Sequence, residues 1–148
     1  MLESDAPLIA EAFRSWNKTT AQYQQYFAEN LEGWRLTLVA FEGEVVIGYG
    51  NLLLKSYYDP FREQGIPEIN DLNVVVPRQA QGIGRRLIAE LEAEALRRGY
   101  AQIGIGVVLH PDYARAQRLY PRLGYVPDGR GAHATEWGDE VNFVKRLA

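Results

Sequence analysis

The chain has 148 residues, 47% apolar and 24% charged, which suits one folded unit with its own core and excludes a disordered chain. A formal net charge of −3 argues against a nucleic-acid partner, whose phosphates call for many Lys and Arg contacts. The absence of cysteine removes disulfides, thiolate metal sites and a cysteine nucleophile, and fits a reducing, cytoplasmic setting.

The opening Met1-Leu2-Glu3-Ser4-Asp5 is acidic where a secretory leader is basic and then apolar, and no stretch nears the ~20 apolar residues that span a bilayer. No membrane partner is therefore expected. Ser4 or Asp5 is placed to cap a first helix with Leu8, Ile9, Ala12 and Phe13 at helical spacing. A second helix follows Thr19-Thr20 with Tyr23, Tyr26 and Phe27 on one stripe. Trp34 to Phe41 is rich in β-branched and aromatic residues, Glu42-Gly43 turns, and Val45 to Leu54 returns, which predicts a hairpin. Lys55 to Pro67 reads as a polar loop and Glu68 to Val76 as a strand stopped by Pro77. After Arg78–Gly84 a long helix runs to about Arg98, with Ile83, Leu87, Leu91 and Ala95 on its core stripe and Gly99 as its stop. Tyr100 to Leu109 is a further strand. Asp112 caps a shorter helix that aligns Ala116, Leu119, Tyr120 and Leu123, Gly124-Tyr125 turns out of it, and Glu136 to Leu147 is the last strand. This order predicts an α/β (α+β) fold, a mixed sheet with helices packed on it, in a single domain over residues 1–148.

Chemistry concentrates between Glu68 and Arg98. Gly82 and Gly84 leave the backbone bare where a helix begins, and the first amides of a helix lack internal partners and carry its positive dipole end. Such a start suits a pyrophosphate, with Arg85 and Arg86 adding charge; a tight strand-to-helix turn is the other reading of the same glycines. Neither the dinucleotide fingerprint nor the P-loop is present. Gly104 and Gly106 inside a strand mark a bend or a close approach. His110 and His133 have no partners at ligand spacing, so no metal is expected.

Gln79-x-x-Gly82-x-Gly84 after an apolar strand resembles the acetyl-CoA signature of the GCN5-related N-acetyltransferases (GNAT family). Downstream, Ala116-Gln117-Arg118-Leu119-Tyr120-Pro121-Arg122-Leu123-Gly124-Tyr125 resembles that family's helix ending in Leu-Tyr followed by Gly-Phe/Tyr. With the preceding hairpin, the resemblance covers residues 34 to 126. It implies a mostly antiparallel sheet with splayed central strands, whose first strand is here short or absent. It implies acetyl-CoA as cofactor, held by the backbone of Val74, Val75 and Val76, by Gln79, Ala80, Gln81, Gly82, Ile83, Gly84, Arg85 and Arg86, and by Tyr113, Ala116, Gln117 and Tyr120. Tyr120 matches the tyrosine beside the thioester sulfur and Glu68 the glutamate that acts as base in one branch; a core tyrosine, a solvated strand end and a water relay remain alternatives. Asp71, three residues on, is expected on the opposite strand face from Glu68.

Two departures stand out. Tyr113 replaces an asparagine common in the family, and Pro121 should kink or end its helix near Tyr120, leaving the Gln117 carbonyl to water or cofactor. The activity implied is direct attack of a small-molecule or protein primary amine on acetyl-CoA in a ternary complex; the alternative is a non-catalytic acyl-CoA-binding regulatory domain. The acceptor is expected near Tyr57, Tyr58, Phe61, Trp16 and Tyr23, and a homodimer is among the arrangements the resemblance allows.

Overall fold

In a computed structural model, residues 1–147 are described, so the predicted domain runs one residue beyond them. Helix α1 (Asp5–Ala12) and a turn over Arg14–Trp16 lead to α2 (Thr20–Glu32). Strands β1 (Arg35–Glu42) and β2 (Val45–Leu53) form the hairpin, followed by α3 (Asp59–Gln64), β3 (Glu68–Val74), α4 (Ile83–Arg97), β4 (Gln102–Val108), α5 (Ala114–Arg122), β5 (Val126–Thr135) and β6 (Gly138–Arg146). They form one six-stranded sheet in the order β1-β2-β3-β4-β6-β5. Among the described residues only the β3–β4 pair is parallel. Among the described residues no strand precedes β1 and no helix is long and apolar enough to cross a membrane.

Each face of the sheet carries its own core. On one, Leu87, Ile88, Leu91 and Ala95 of α4 pack on Leu52, Ile69, Ile103, Ile105 and Val107, with Tyr120 and Tyr125 beside them. These alternate strand positions are apolar because period-two geometry sends them all to one side. On the other face, Ala6, Ile9, Ala10 and Phe13 pack on Val46 and Tyr49 together with Tyr23 of α2. Leu8, expected on that stripe, is 44% exposed, and Ala6 takes its place.

Other boundaries also move. Neither Ser4 nor Asp5 caps α1 with its side chain; the Asp5 carboxylate instead accepts from the Leu2 amide at 2.7 Å. Thr19 does cap α2, accepting from the Gln22 amide at 3.2 Å. The segment read as a loop contains α3, with Pro60 in its first turn, a left-handed Gly65 at its end and Phe61 buried. β3 ends at Val74, because Val76, Pro77 and Arg78 turn as a short 3-10 helix. Asp112 lies in the turn before α5 and does not cap it; His110 Nδ1 accepts the Asp112 amide at 3.1 Å instead. Helix α5 continues through Pro121 to Arg122 rather than ending near Tyr120, since a proline in the last turn displaces one bond only. The final strand begins at Gly138, and β5, unseen in the sequence, precedes it as the other arm of a hairpin.

Candidate active site

β3 and β4 pair only at Glu68 with Gly104 and at Ile69 with Ile105, then part. Beyond that point each keeps its outer neighbour, β2 or β6, so a wedge opens in the middle of the sheet. Backbone groups along its two walls face a space instead of each other, and such groups need partners.

Glu68 stands at the closed end of the wedge. It is buried, and Ser56 Oγ donates a short hydrogen bond to its Oε2. Burial pushes its carboxyl up to about 7; the Ser56 bond opposes that shift and the Glu140 charge adds to it. A carboxyl poised near neutrality is matched to taking a proton from an ammonium or amine. Glu68 lies opposite Leu53 and Gly104, on the face away from α4.

Tyr120 lies on the other face. It is buried against the α4-side core, its ring 6.1 Å from that of Tyr125, and burial pushes its hydroxyl up to about 12. Among the described residues that hydroxyl has no hydrogen-bond partner, although it belongs to a buried residue. With a thiol near 8.5, complete proton transfer from such a phenol is uphill by about 5 kcal/mol, so hydrogen-bond donation to a sulfur is what this group can supply. Glu68 and Tyr120 thus lie on opposite faces of the sheet.

The open end leads to the start of α4. Ala80 and Gly82 are left-handed, at φ 61° and 86°. Glycine adopts this conformation freely, whereas Ala80 is strained by about 1–2 kcal/mol. The first α4 bond runs from the Arg86 amide to the Gly82 carbonyl at 2.9 Å, which leaves the amides of Ile83, Gly84 and Arg85 without helical partners. A Cβ on Gly84 would meet only Val74 Cγ2 at 3.8 Å, so packing does not demand glycine there. Its bare backbone instead keeps the helix end approachable beside the tip of β3, the condition for cradling a phosphate. These residues fit the diphosphate of coenzyme A. Arg78 is occupied by Glu42, 2.5 Å away, and Arg86 lies 3.5 Å from Glu90, while Arg85 is exposed. Gln79 folds back onto the Val74 carbonyl at 3.0 Å, and the Val75 amide is given to Ile47 at 3.0 Å. Val76 projects into solvent. Gln117 ties α5 to the end of β4 through the carbonyls of Val108 (3.0 Å) and His110 (3.1 Å), with Ala116 half-buried beside it and Tyr113 exposed at the head of α5.

One wall of the wedge is shaped by a bulge. Tyr49 opposes Asn73 and Asn51 opposes Asn70, so β3 carries an extra residue, with Asp71 at φ 48°. The bulge overturns the expected parity: the Asp71 carboxylate reaches the same face as Glu68. There it accepts from Tyr26 (2.7 Å), Tyr49 (2.9 Å) and Asn73 (2.7 Å), with Lys18 at 3.4 Å. So satisfied a carboxylate is a clamp for the bulge and a poor candidate base.

The aromatics expected around the acceptor divide. Tyr57 and Tyr58 line a cavity with Asp59, Pro60 and His133. Phe61 instead packs where a Cβ on Gly104 would be, and Tyr23 is wholly buried. Trp16 packs edge-on against Phe13 at 5.1 Å. Sequence reasoning missed Ser56, Glu140 and Asn142. Alternation in Asp139-Glu140-Val141-Asn142-Phe143 put Glu140 and Asn142 on one strand face, but nothing local said that this face looks into a cleft.

The model of the acetyltransferase (GNAT) family matches residues 6–125. No curated protein sequence matches the chain. Among solved structures it is similar to an acetyltransferase assigned to the GNAT family from Desulfovibrio desulfuricans, at 20% identity and TM-score 0.79, covering 99% of this chain and 95% of that one. It is also similar to yncA of Salmonella typhimurium, assigned as an acetyltransferase and solved with acetyl-CoA, at 24% identity, TM-score 0.77 and coverage of 100% and 91%. A ribosomal-protein-alanine N-acetyltransferase from Brucella melitensis matches at 23% identity and TM-score 0.77, covering 99% of this chain and 97% of that one.

Proposed function

Because the chain belongs to the GNAT family of acetyltransferases, with acetyl-CoA as acyl donor, we propose that it acetylates a primary amine directly, in a ternary complex, with Glu68 as base and Tyr120 as hydrogen-bond donor to the sulfur. Bound acetyl-CoA supplies an activated acyl group whose leaving thiol is far more acidic than an amine. The first amides of α4, with Arg85, hold its diphosphate, and the open walls of β3 and β4 take its arm through backbone hydrogen bonds. Glu68 accepts the amine's proton on the face away from α4, while the Tyr120 hydroxyl stabilises the departing sulfur from the α4 side. No cysteine is present to carry an acetyl group between sites, which favours direct attack. The same lack of cysteine suits a cytoplasmic setting, and the length suits a single domain over residues 1–148.

The observation that carries this reading is the wedge itself, with a buried carboxyl at its closed end and a bare helix start at its open end. Calorimetric titration with acetyl-CoA, combined with steady-state kinetics of Glu68→Gln and Tyr120→Phe, tests it. We expect micromolar binding retained in both variants, with kcat falling by about 10²–10⁴-fold in Glu68→Gln, the range for a general base, and by less in Tyr120→Phe. Undiminished kcat in both would remove their roles, and absence of binding would remove the enzyme.

A further inference from the structure

The cavity lined by Tyr57, Tyr58, Asp59, Pro60 and His133 has a volume of about 330 Å³, and two further carboxylates, Glu68 and Glu140, adjoin its lining. The Tyr58 amide donates to Ser56 Oγ at 2.9 Å, and Ser56 in turn donates to Glu68. His133 stacks on Tyr58 with centroids 4.9 Å apart and is the cross-strand partner of Glu140. The Glu140 carboxylate lies directly over Gly106, where any Cβ would collide with it. Asn142 shares that face, its Oδ1 3.3 Å from the same Cβ position. It is 1% exposed, and both polar atoms of its amide are buried without a partner. An unpaired buried amide is destabilising, and a bound polar group would satisfy it.

Charge around the cavity is uneven. The nearby arginines are each committed to another carboxylate: Arg35 to Glu29 at 3.0 Å, Arg62 to Asp59 at 2.5 Å and Arg130 to Asp128 at 4.0 Å. Among the described residues, Glu68 and Glu140 form no ion pair, and they stand two positions apart along β4, opposite Gly104 and over Gly106.

We propose that the cleft over β4, from Glu68 opposite Gly104 to Glu140 and Asn142 over Gly106, binds an acceptor carrying two cationic centres: the amine to be acetylated lies at Glu68, and a second ammonium, several bonds away, lies against Glu140 with Asn142 Oδ1 as a further acceptor. The substrate class is thus a diamine or polyamine, and the assignment rests on the acetyltransferase reading above. Acetylation breaks the thioester C–S bond and forms an amide C–N bond; Glu68 takes one proton from the ammonium, and the second, released as the amide forms, goes to the departing thiolate, which leaves with the coenzyme as a thiol. The second ammonium takes no part in that exchange and serves only as an anchor.

The test compares kcat/KM for 1,4-diaminobutane, n-butylamine and 4-aminobutanoate at saturating acetyl-CoA, in the wild type, Glu140→Gln and Asn142→Leu. The diamine should exceed the monoamine by about tenfold or more, well beyond the about twofold gain of having two reactive ends, and the aminobutanoate should be poorest. Glu140→Gln should collapse the diamine advantage toward that statistical value, chiefly through KM. Asn142→Leu, which exchanges two unpaired polar atoms for methyl groups, should reduce the advantage while raising the melting temperature. A wild-type ratio near the statistical value, a ratio untouched by Glu140→Gln, or acetyl-CoA binding with none of the three amines acetylated would overturn the assignment and leave the enzyme reading standing. Failure to bind acetyl-CoA would instead remove the reading beneath it.

Discussion

Glu68 shows how much one position depends on its surroundings. Its match to a family base was legible from its place at the start of an apolar strand. Its chemistry was not, since Ser56 comes from a segment without strand or helix pattern and Glu140 lies 72 positions further along. Burial raises the Glu68 carboxyl from 4.5 to about 7. The folded state thus favours the protonated form, so this contribution to stability is complete below about pH 4.5 and is lost as pH rises through about 7. Over that interval the wild type should lose up to about 3 kcal/mol through this group. Glu68→Gln cannot ionise, so urea unfolding at pH 5 and pH 8 should show a smaller loss in the variant. An equal loss in both would mean that Glu68 is hydrated rather than buried. The Glu140 carboxyl is also raised, by burial first, and contributes to the slope that remains in the variant.

At the level of elements, the ones with strong periodic patterns were readable and the ones held by context were not. Helix α4 was plain from Leu87, Leu91 and Ala95, all buried as expected. β5 was invisible because most of its residues are exposed, and left-handed Gly129 and Gly131 interrupt it where its register with β6 shifts. No apolar alternation can mark such a strand; it exists because β6 offers it an edge. Helix α3 is six residues long and depends on Phe61 finding the bare backbone of Gly104. The start of α4 separates a ligand role from a folding role. Gly84 sits in a helix with space for a Cβ, so Gly84→Ala should stabilise the fold by about 0.5–1 kcal/mol. The same methyl group should weaken acetyl-CoA binding by crowding the helix amides. Thermal melts and calorimetry on this one variant should move in opposite directions, and tighter or unchanged binding would mean that the glycine serves only the turn.

For the whole molecule, the decisive feature is a sheet left unpaired at its centre. Six strands bury two cores, yet β3 and β4 share two register pairs. A ligand filling that wedge binds the folded state alone. Coenzyme A at about 100 times its Kd should therefore add about 2.7 kcal/mol of stability and raise the melting temperature by about 5–10 °C. Hydrogen exchange should slow most at the β3 and β4 amides past Ile69 and Ile105; uniform protection would place the ligand elsewhere.

From the sequence alone came the α/β class, the family, the glycine-rich helix start and the names Glu68 and Tyr120, because hydrophobic period and short motifs are local properties that neighbours in the chain express. The tertiary structure decided the rest. A single extra residue at Asp71 turned the expected strand parity and carried that carboxylate into a tyrosine clamp. Likewise, the approach of β6 and of the segment before α3 brought Glu140 and Ser56 to Glu68. Burial and electrostatic environment are properties of distance in space, and no spacing along the chain records how far apart Ser56, Glu68 and Glu140 come to lie.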